Sequence, residues 1–275
     1  MNTVLHLSDP HFGTEQPAVQ RALLDFAARQ APEVVLLSGD ITQRARRSQF
    51  AAARQFMAAL PAPVVAVPGN HDIPLFNLAA RLLNPYGNYR RALGENLAPT
   101  FESASLLVLG VNSSRPARHV DGEVSAEQVA QVAARLRRAD AGQLRIVMQH
   151  HPVRAQEPSD LDNLLIGRDV AVPAWVDAGM DLLVAGHIHL PYVQPLAGSG
   201  QRQAWTAQAG TALSRRVRGA VPNSVNLIRY DAAGNAAKTA CRHRRCCVER
   251  WDYSEQDGAF TVVAQHDLAF TDTAG

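Results

Sequence analysis

Short apolar runs alternate with helical patterns in the N-terminal part of the chain. Three compact apolar runs predict strands, and between them apolar residues recur at the spacing of one helix face. The predicted strands are Thr3–Leu7, Glu33–Ser38 and Pro63–Val67, and the predicted helices are Pro17–Gln30 and about Ser48–Leu60. Because strand–helix–strand units join parallel strands through right-handed crossovers, this order predicts a parallel sheet.

The alternation continues to about residue 185 with two interruptions. Strands are predicted at Leu106–Val111, Arg145–Gln149 and Asp181–Ala185, and helices at Pro74–Leu83, Ser125–Arg138 and Val170–Ala178. Ser125 is the predicted N-cap of its helix, with Gln128 at the capping-box position. The interruptions are Asn84–Pro99, which predicts an irregular surface segment, and the polar stretch Arg154–Arg168, which predicts a loop.

The remainder of the chain shows no helical periodicity. Short strands separated by Gly, Asn and Asp turns are predicted at Tyr192–Leu196, Gln203–Thr206, Val225–Tyr230, Cys247–Asp252 and Ala259–Ala264. The fold class is therefore α/β passing into mostly antiparallel β. We expect one domain over residues 1–275, with a core of about 1–231 and a C-terminal β extension of about 232–275.

Composition is that of a globular protein, with 47% hydrophobic and 19% charged residues among 275. The 27 basic residues nearly balance the 25 acidic ones, so the charge gives no electrostatic reason to expect nucleic-acid binding. No apolar run approaches the length of a membrane-spanning helix. The N-terminal residues show no signal-peptide pattern, and we expect a cytoplasmic protein.

The three cysteines are Cys241, Cys246 and Cys247. An odd count with two adjacent members argues against a disulfide scaffold. The run that also contains His243 suggests a zinc site, but it lacks paired Cys-x-x-Cys spacing. Reduced, incidental cysteines are the favoured interpretation.

Short polar clusters follow five of the predicted strands directly. These clusters are Asp9-Pro-His11, Gly39-Asp40, Gly69-Asn70-His71-Asp72, His150-His151 and Gly186-His187-Ile188-His189. Because the carboxyl ends of parallel strands share one edge of a sheet, the clusters are expected to meet there, where open α/β sheets bind ligands. The sequence thus predicts one functional site.

Carboxylate, amide oxygen and imidazole are ligands that suit manganese, iron, zinc and similar ions. The set is large enough for two ions, and Asp40 is a natural bridge between them. Gly39, Gly69 and Gly186 are expected to let the backbone approach the ions closely. His151 is expected to be structural and His6 to lie in the core, and surface positions are expected for His119, His243 and His266.

This ordered set of clusters, from Leu5 to about Asp231, resembles the signature of the calcineurin-like metallophosphoesterases. The resemblance implies a four-layer αββα sandwich of two mixed sheets flanked by helices. It also implies a first metal bound by Asp9, His11, Asp40 and His189, and a second bound by Asp40, Asn70, His150 and His187. His71 matches the family's catalytic histidine and Asp72 the carboxylate that orients it. Mn, Fe, Zn, Mg, Co or Ni, as divalent or trivalent ions, would serve.

Within that superfamily the chain is most similar to bacterial class III cyclic nucleotide phosphodiesterases, through Leu7–Phe12, Ser38–Gln43 and Pro68–Pro74. The implied reaction is hydrolysis of a small-molecule phosphodiester, with 3′,5′-cyclic nucleotides leading. A metal-bridging hydroxide would attack phosphorus while His71 assists the leaving group. The alternatives are a nucleotide-sugar or lipid pyrophosphate, a glycerophosphodiester, DNA, a phosphomonoester, or a non-catalytic scaffold. Monomer and homodimer both remain open.

Specificity is expected from the irregular segments Ile73–Arg91, Arg154–Arg168 and Leu213–Asn223. Tyr86, Tyr89 and Asn223 are candidate contacts to a base or sugar, with loop packing as the alternative. Arg44 and Arg215 are candidate cations near the site, with solvated surface positions as the alternative. No Arg or Lys adjoins His71 or His189 in the sequence, which favours phosphodiesters over the more highly charged monoesters.

Overall fold

A computed structural model describes residues 2–231 and 245–270 of the chain. The strands are β1 (Asn2–Leu7), β2 (Val34–Ser38), β3 (Val64–Val67), β4 (Thr100–Glu102), β5 (Leu106–Gly110), β6 (Leu144–Met148), β7 (Leu182–Ala185), β8 (Tyr192–Ala197), β9 (Gln203–Gln208), β10 (Ser224–Tyr230), β11 (Cys246–Ser254) and β12 (Ala259–Leu268). The helices are α1 (Pro17–Gln30), α2 (Arg47–Ala59), α3 (Leu78–Leu83), α4 (Gly87–Leu93), α5 (Ala126–Leu136) and α6 (Arg168–Asp177). In the described part of the chain, no helix combines the length and apolarity needed to cross a membrane.

Two six-stranded mixed sheets form the centre of the molecule. The first has the order β12-β11-β10-β1-β2-β3, with parallel pairing only among β1, β2 and β3. The second has the order β4-β5-β6-β7-β9-β8, with antiparallel strands at its two edges. Strands β11 and β12 extend the first sheet through β10. Strand β9 pairs antiparallel with β8, as predicted, and also lies parallel to β7.

Alternate residues of the central strands point into different apolar layers. In β2, Val34 and Leu36 face the cluster between the two sheets, whereas Val35 and Leu37 face the cluster under α1 and α2. A third cluster packs α5 and α6 against the outer face of the second sheet. Strands buried on both faces are expected to be continuous apolar runs, as these are. The predicted sandwich of two mixed sheets flanked by helices is confirmed.

Three local predictions fail. Asn84–Pro99 is not wholly irregular, because α4 forms within it and buries Tyr89, whose hydroxyl donates to the Ala66 carbonyl at 2.9 Å. The short edge strand β4 pairs with β5 where no strand is predicted. The loop 154–168 contains a 3₁₀ helix at Pro158–Asn163. Short elements of this kind depend on tertiary contacts more than on local pattern.

The capping box of Ser125 and Gln128 is confirmed.

The described cysteines, Cys246 and Cys247, are buried thiols in β11. Cys241 and His243 lie outside the described residues.

His6 joins three strands just below the loops that follow β1 and β2. It is buried, as predicted, and its Nε2 lies 2.9 Å from Ser38 Oγ while its Nδ1 accepts from Asn226 Nδ2 at 3.3 Å. Because Nδ1 is the acceptor, Nε2 carries the hydrogen and donates to Ser38. Burial lowers the pKa of His6 to about 3, against a smaller opposing effect of Asp9.

We predict that His6 makes the protein sensitive to acid. The folded state holds His6 neutral, so as the pH falls below about 6.5 only the unfolded state takes up this proton, and stability is lost towards pH 3. Between pH 6.5 and 5, this group should remove about 2 kcal/mol from the free energy of unfolding. His6→Gln, which keeps one donor and one acceptor, should show a shallower decrease in urea titrations at matched metal content. His266→Gln, at an exposed position, is the control, and equal slopes for His6→Gln and wild type would contradict the prediction.

Candidate metal centre

The polar clusters predicted from the sequence meet at one edge of the two sheets. Asp9 and His11 follow β1, Asp40 follows β2 and Asn70 follows β3 of the first sheet. From the second sheet, His150 follows β6, and His187 and His189 follow β7. Backbone hydrogen bonds join the first two loops, from Asp9 N to the Gly39 carbonyl at 3.2 Å and from His11 N to the Asp40 carbonyl at 3.0 Å.

The backbone at this edge has an unusual conformation. Left-handed φ values occur at five of the predicted ligands: Asp9 (52°), His11 (43°), Asp40 (47°), His187 (77°) and His189 (58°). In the rest of residues 2–231 and 245–270, only Ala31 and Ala45 among non-glycine residues share this feature. The conformation costs free energy, and proteins keep such strain mainly at functional sites. These left-handed turns therefore indicate a functional site whose backbone geometry is kept at a cost in folding stability.

Two glycines allow the loops to pack this closely. Gly39 has φ +91°, and a Cβ there would lie 2.5 Å from the ring of His150. A Cβ on Gly186 would lie 1.7 Å from Ser8 Oγ and 2.4 Å from Asp9 Oδ2. A side chain at either position would push a ligand out of place. These glycines therefore permit the close packing of the loops, and the predicted approach of the backbone to metal ions stays a prediction.

The first group of ligand atoms surrounds Asp9 Oδ1. His189 Nε2 lies 3.2 Å and His11 Nε2 3.6 Å from this oxygen, and the two nitrogens are 3.2 Å apart. Asp9 Oδ2 accepts hydrogen bonds from Ser8 Oγ at 2.6 Å and His187 N at 2.9 Å. Oδ1, by contrast, is buried without a hydrogen-bond partner in the structure. An unpaired buried carboxylate oxygen is costly, and a cation would compensate it.

The second group surrounds His150 Nε2. This nitrogen lies 3.2 Å from Asn70 Oδ1 and 3.3 Å from His187 Nδ1. Asn70 Nδ2 donates to the His119 carbonyl at 3.2 Å, which fixes the amide so that its oxygen faces His150. His119 is exposed, as expected, and its backbone carbonyl orients a candidate ligand.

Asp40 lies between the two groups, with one carboxylate oxygen directed to each. Oδ2 is 3.6 Å from His11 Nε2, and Oδ1 is 3.3 Å from His150 Nε2. Donor atoms about 2.0–2.2 Å from a common ion stand roughly 3–3.5 Å apart, so both groups have the spacing of a metal coordination sphere. The donor set of oxygen and imidazole nitrogen also fits divalent metals.

Backbone carbonyls set the orientation of three imidazole rings. Nδ1 of His150 lies 2.8 Å from the Ser38 carbonyl, and Nδ1 of His71 lies 3.0 Å from that of Gln43. Nδ1 of His189 bonds to the Arg216 carbonyl. A carbonyl only accepts, so each Nδ1 carries the hydrogen and each Nε2 presents its lone pair to the site when the ring is neutral. Partners of this kind commonly fix metal-ligating histidines.

Burial and mutual attraction set the ionisation of the ligands. Burial opposes charge on Asp9 and Asp40, yet neighbouring histidines, chiefly His189 and His150 respectively, hold both carboxyl pKa values well below their usual range. Burial lowers the pKa of His11 to about 4 and of His187 to about 3. It also acts against charge on His150, but the charge and hydrogen bonding of Asp40 raise that pKa to about 9. The acidic side chains are thus ready to bind cations at neutral pH.

His71 enters the cleft between the two groups. Its Nε2 lies 4.0 Å from Asp40 Oδ2, and its side chain is 19% exposed. Nitrogen and oxygen atoms of His11, Asp40 and His71 lie within 4.8 Å of one another, so His71 is also within reach of a metal. Its backbone N donates to Asp40 Oδ1 at 2.8 Å.

Asp72 does not orient His71, which corrects the role expected of it. Its carboxylate accepts hydrogen bonds from Ile41 N at 3.0 Å, Thr42 N at 2.8 Å, Thr42 Oγ1 at 2.9 Å and Gly69 N at 2.9 Å. It therefore fastens the loop after β2 to the loop after β3, while the Gln43 carbonyl holds the ring of His71. Burial and the charge of Asp40 raise the pKa of Asp72 to about 7.

His151 lies beside the second group, but protein atoms occupy both of its ring nitrogens. Nδ1 is 2.8 Å from Ser113 Oγ, and Nε2 is 2.9 Å from the Val120 carbonyl. These contacts agree with the structural role expected for His151 and favour His150 as the ligand.

The three residues expected to contact a base or sugar are buried and pack inside the protein. Tyr86 and Tyr89 are buried, and the hydroxyl of Tyr86 donates to the Ser114 carbonyl at 2.7 Å. Asn223 is also buried, and its Nδ2 donates to the carbonyls of Thr211 at 3.2 Å and Ser214 at 2.8 Å. The loop-packing alternative is the correct one for all three.

Two arginines that the sequence analysis did not identify, Arg216 and Arg218, line the cleft at the candidate metal centre. The cleft has a volume of about 290 Å³, and its lining includes Asp40, His71, His189, Arg216 and Arg218. Arg215, a predicted candidate, lines a different cleft with Gln16 and Tyr253. Arg44 lies at an adjoining cleft that shares His71 with the first. The residues adjacent to His71 and His189 in the sequence therefore did not indicate which arginine side chains reach the site.

A family model described as calcineurin-like phosphoesterase matches residues 3–191. A glycerophosphodiester phosphodiesterase, GpdQ, of Enterobacter lignolyticus is 29% identical over 199 residues, which cover 67% of this chain and 69% of that protein. A probable cyclic nucleotide phosphodiesterase of Synechococcus is 25% identical over 170 residues, covering 60% of this chain and 61% of that one. A dimetal phosphatase of Danio rerio shares the fold, with a TM-score of 0.65 at 15% identity over 98% of this chain and 99% of its own.

We predict that the wild-type protein binds two metal ions per chain and that Asp40→Ala weakens both sites, because this carboxylate faces both groups. His11→Ala should weaken metal binding at the first group of ligand atoms, around Asp9, and leave binding at the second group, around His150, unchanged. Elemental analysis after metal loading and dialysis gives the stoichiometry. Asp25→Ala, at an exposed position on α1, is the control. A single ion in the wild-type protein, or retention of one tightly bound ion by Asp40→Ala, would count against a shared carboxylate.

Proposed function

The chain belongs to the calcineurin-like phosphoesterase family and is a metal-dependent phosphoester hydrolase, and we propose that it cleaves small phosphodiesters at a centre of two metal ions. The observation that carries the proposal is the position of Asp40, whose two oxygens face separate groups of ligand atoms at 3.6 and 3.3 Å. One carboxylate directed to two groups is the arrangement expected of a bridging ligand.

Each ion would have its own set of ligands beside the shared Asp40. Asp9, His11 and His189 would complete the first site, and Asn70, His150 and His187 the second. When bound, the two ions would supply Lewis-acid chemistry that polarises the phosphoryl group and activates water. The protein's contribution is to hold the ligands in fixed orientations through the carbonyls of Ser38, Arg216 and His119.

His71 is the residue we propose to act on the leaving group. Its Nδ1–H is held by the Gln43 carbonyl, which directs Nε2 into the cleft close to Asp40. When the ring is protonated, Nε2–H can donate to the leaving oxygen as the bond to phosphorus breaks. Asp72 supports this role indirectly, because it fixes the loop on which His71 stands.

A phosphodiester needs space for an organic group on each side of phosphorus. The metal cleft adjoins a second cleft of about 190 Å³, lined in part by Arg44, Ile73 and Leu75, with His71 and Asn70 shared between them. The two named relatives act, by their descriptions, on glycerophosphodiesters and on cyclic nucleotides. Both substrates are small phosphodiesters, and we propose this class for the present protein.

We expect the metal-loaded protein to hydrolyse bis-p-nitrophenyl phosphate with a higher kcat/KM than p-nitrophenyl phosphate. Glycerophosphoethanolamine and 3′,5′-cyclic AMP, assayed by product chromatography, distinguish the two candidate substrates, and we expect measurable turnover of cyclic AMP. A preference for the monoester at equal metal loading would overturn the diesterase proposal. Diesterase activity without turnover of cyclic AMP would exclude only the cyclic-nucleotide assignment.

His71→Ala should keep its metals and lose activity in a way that depends on the leaving group. General acid catalysis contributes about 10²–10⁴-fold in rate, so we expect a loss on this scale for alkyl phosphodiesters. The loss should be smaller for p-nitrophenyl esters, whose leaving group needs little protonation. Equal losses for both classes would exclude the leaving-group role, and loss of one ion from the variant would identify His71 as a ligand instead.

A further inference from the structure

Two arginines from the loop after β9 face the metal cleft, and they differ in their partners. Arg218 is neutralised by a carboxylate: its Nη1 lies 2.7 and 2.9 Å from the two oxygens of Asp160, which is buried. The same Nη1 contacts the Ile188 carbonyl at 3.2 Å. This ion pair fastens the loop to the 3₁₀ helix Pro158–Asn163, so Arg218 has a structural task.

Arg216 has no such counter-ion. Its Nη1 lies 3.1 Å from His71 Nε2, 3.4 Å from Gln43 Oε1, and 3.4 Å from both ring nitrogens of His11. Among the described residues, no carboxylate forms an ion pair with Arg216. A guanidinium is always charged, so a positive charge that no described carboxylate holds in an ion pair lies beside the proposed leaving-group residue.

The backbone of Arg216 is tied to the metal site. Its carbonyl accepts hydrogen bonds from Thr211 Oγ1 at 2.8 Å and from the ring of His189, and its N donates to Ser214 Oγ at 3.3 Å. These contacts fix where the side chain starts, and the guanidinium then extends across the cleft to His71 on the opposite loop. Such an anchored donor loses little conformational freedom when it binds an anion.

We propose that Arg216 is a substrate-binding residue that selects phosphoryl groups carrying a second negative charge, so that the site also hydrolyses phosphomonoesters. The proposal deepens the function proposed above and rests on the same site. A phosphoryl oxygen would replace His71 Nε2 as the acceptor from Nη1. Because a monoester dianion has two terminal charges to share between metals and guanidinium, it gains more from Arg216 than a diester monoanion does.

The consequence is that two hydrolyses can follow one another at the same centre. In the first, the oxygen of water bonds to phosphorus, the P–O bond to one organic group breaks, and the departing oxygen takes a proton. The water gives up two protons, one to the departing oxygen and one to solvent, so the product is a monoester dianion, the species that Arg216 is proposed to bind best. In the second hydrolysis, another water bonds to phosphorus and the P–O bond to the remaining organic group breaks. This step releases inorganic phosphate and the second alcohol.

The test compares Arg216→Gln with Arg215→Gln, a matched substitution of the adjacent arginine. Arg215 is exposed and lines the cleft that contains Gln16 and Tyr253, away from the metals. Substitution at 216 keeps the backbone carbonyl that orients His189. Three quantities are measured: metal content, kcat/KM for p-nitrophenyl phosphate and its bis ester, and binding of inorganic phosphate to the metal-loaded protein by calorimetry.

Arg216→Gln should keep two ions and lose about 10–100-fold in kcat/KM for the monoester, with a loss at least about tenfold smaller for the diester. Its Kd for inorganic phosphate should rise by about tenfold or more, and Arg216→Lys should recover part of both. Arg215→Gln should match wild type. Equal losses for the two esters with unchanged phosphate binding, or loss of metal, would overturn the proposal. A wild type that cleaves only the monoester would refute the diesterase function while leaving the Arg216 effects measurable.

Discussion

The position of the Asp40 carboxylate, almost fully buried between two groups of histidines, is the constraint on which the structure of the site depends. Carboxylate oxygens of Asp9 and Asp40 lie 3.2–3.6 Å from ring nitrogens of His11, His150 and His189, with little access for water. Without cations, such a cluster has unsatisfied atoms, as Asp9 Oδ1 demonstrates. The left-handed turns, the glycines and the carbonyl-bound rings all maintain this cluster, whose unpaired carboxylate oxygen a bound cation would compensate.

Asp72 shows how the loops after the parallel strands β2 and β3 are held together at this edge of the first sheet. Strands β2 and β3 end side by side, and their loops contribute Asp40 on one side and Asn70 with His71 on the other. The carboxylate of Asp72 accepts from the backbone of both loops, at Ile41, Thr42 and Gly69. The carboxylate of Asp72 therefore fixes the loop of Asp40, the proposed bridging ligand, relative to the loop of His71, the proposed leaving-group residue.

The location of the site was predictable from the sequence because it requires only two facts. Polar residues with the chemistry of metal ligands follow buried strands, and parallel strands end at a common edge. The partners of those residues were not predictable. The carbonyl that holds His71 belongs to Gln43, and the one that holds His189 belongs to Arg216; backbone groups carry no sequence signal. Similarly, α4 depends on burial of Tyr89 against β3, a contact that no local pattern records.

Arg216 also changes the argument about charge that the sequence supported. The absence of basic residues next to His71 and His189 in the sequence favoured diesters, but the cleft receives Arg216 and Arg218 from a loop more than twenty residues beyond His189. Asp160 cancels the charge of Arg218 and leaves that of Arg216. With two divalent ions bound, positive charge would exceed that of Asp9 and Asp40 even before Arg216 is counted. Such a centre would retain the more negative product of each proposed diester cleavage, so a guanidinium that helps monoester binding would also slow the release of product.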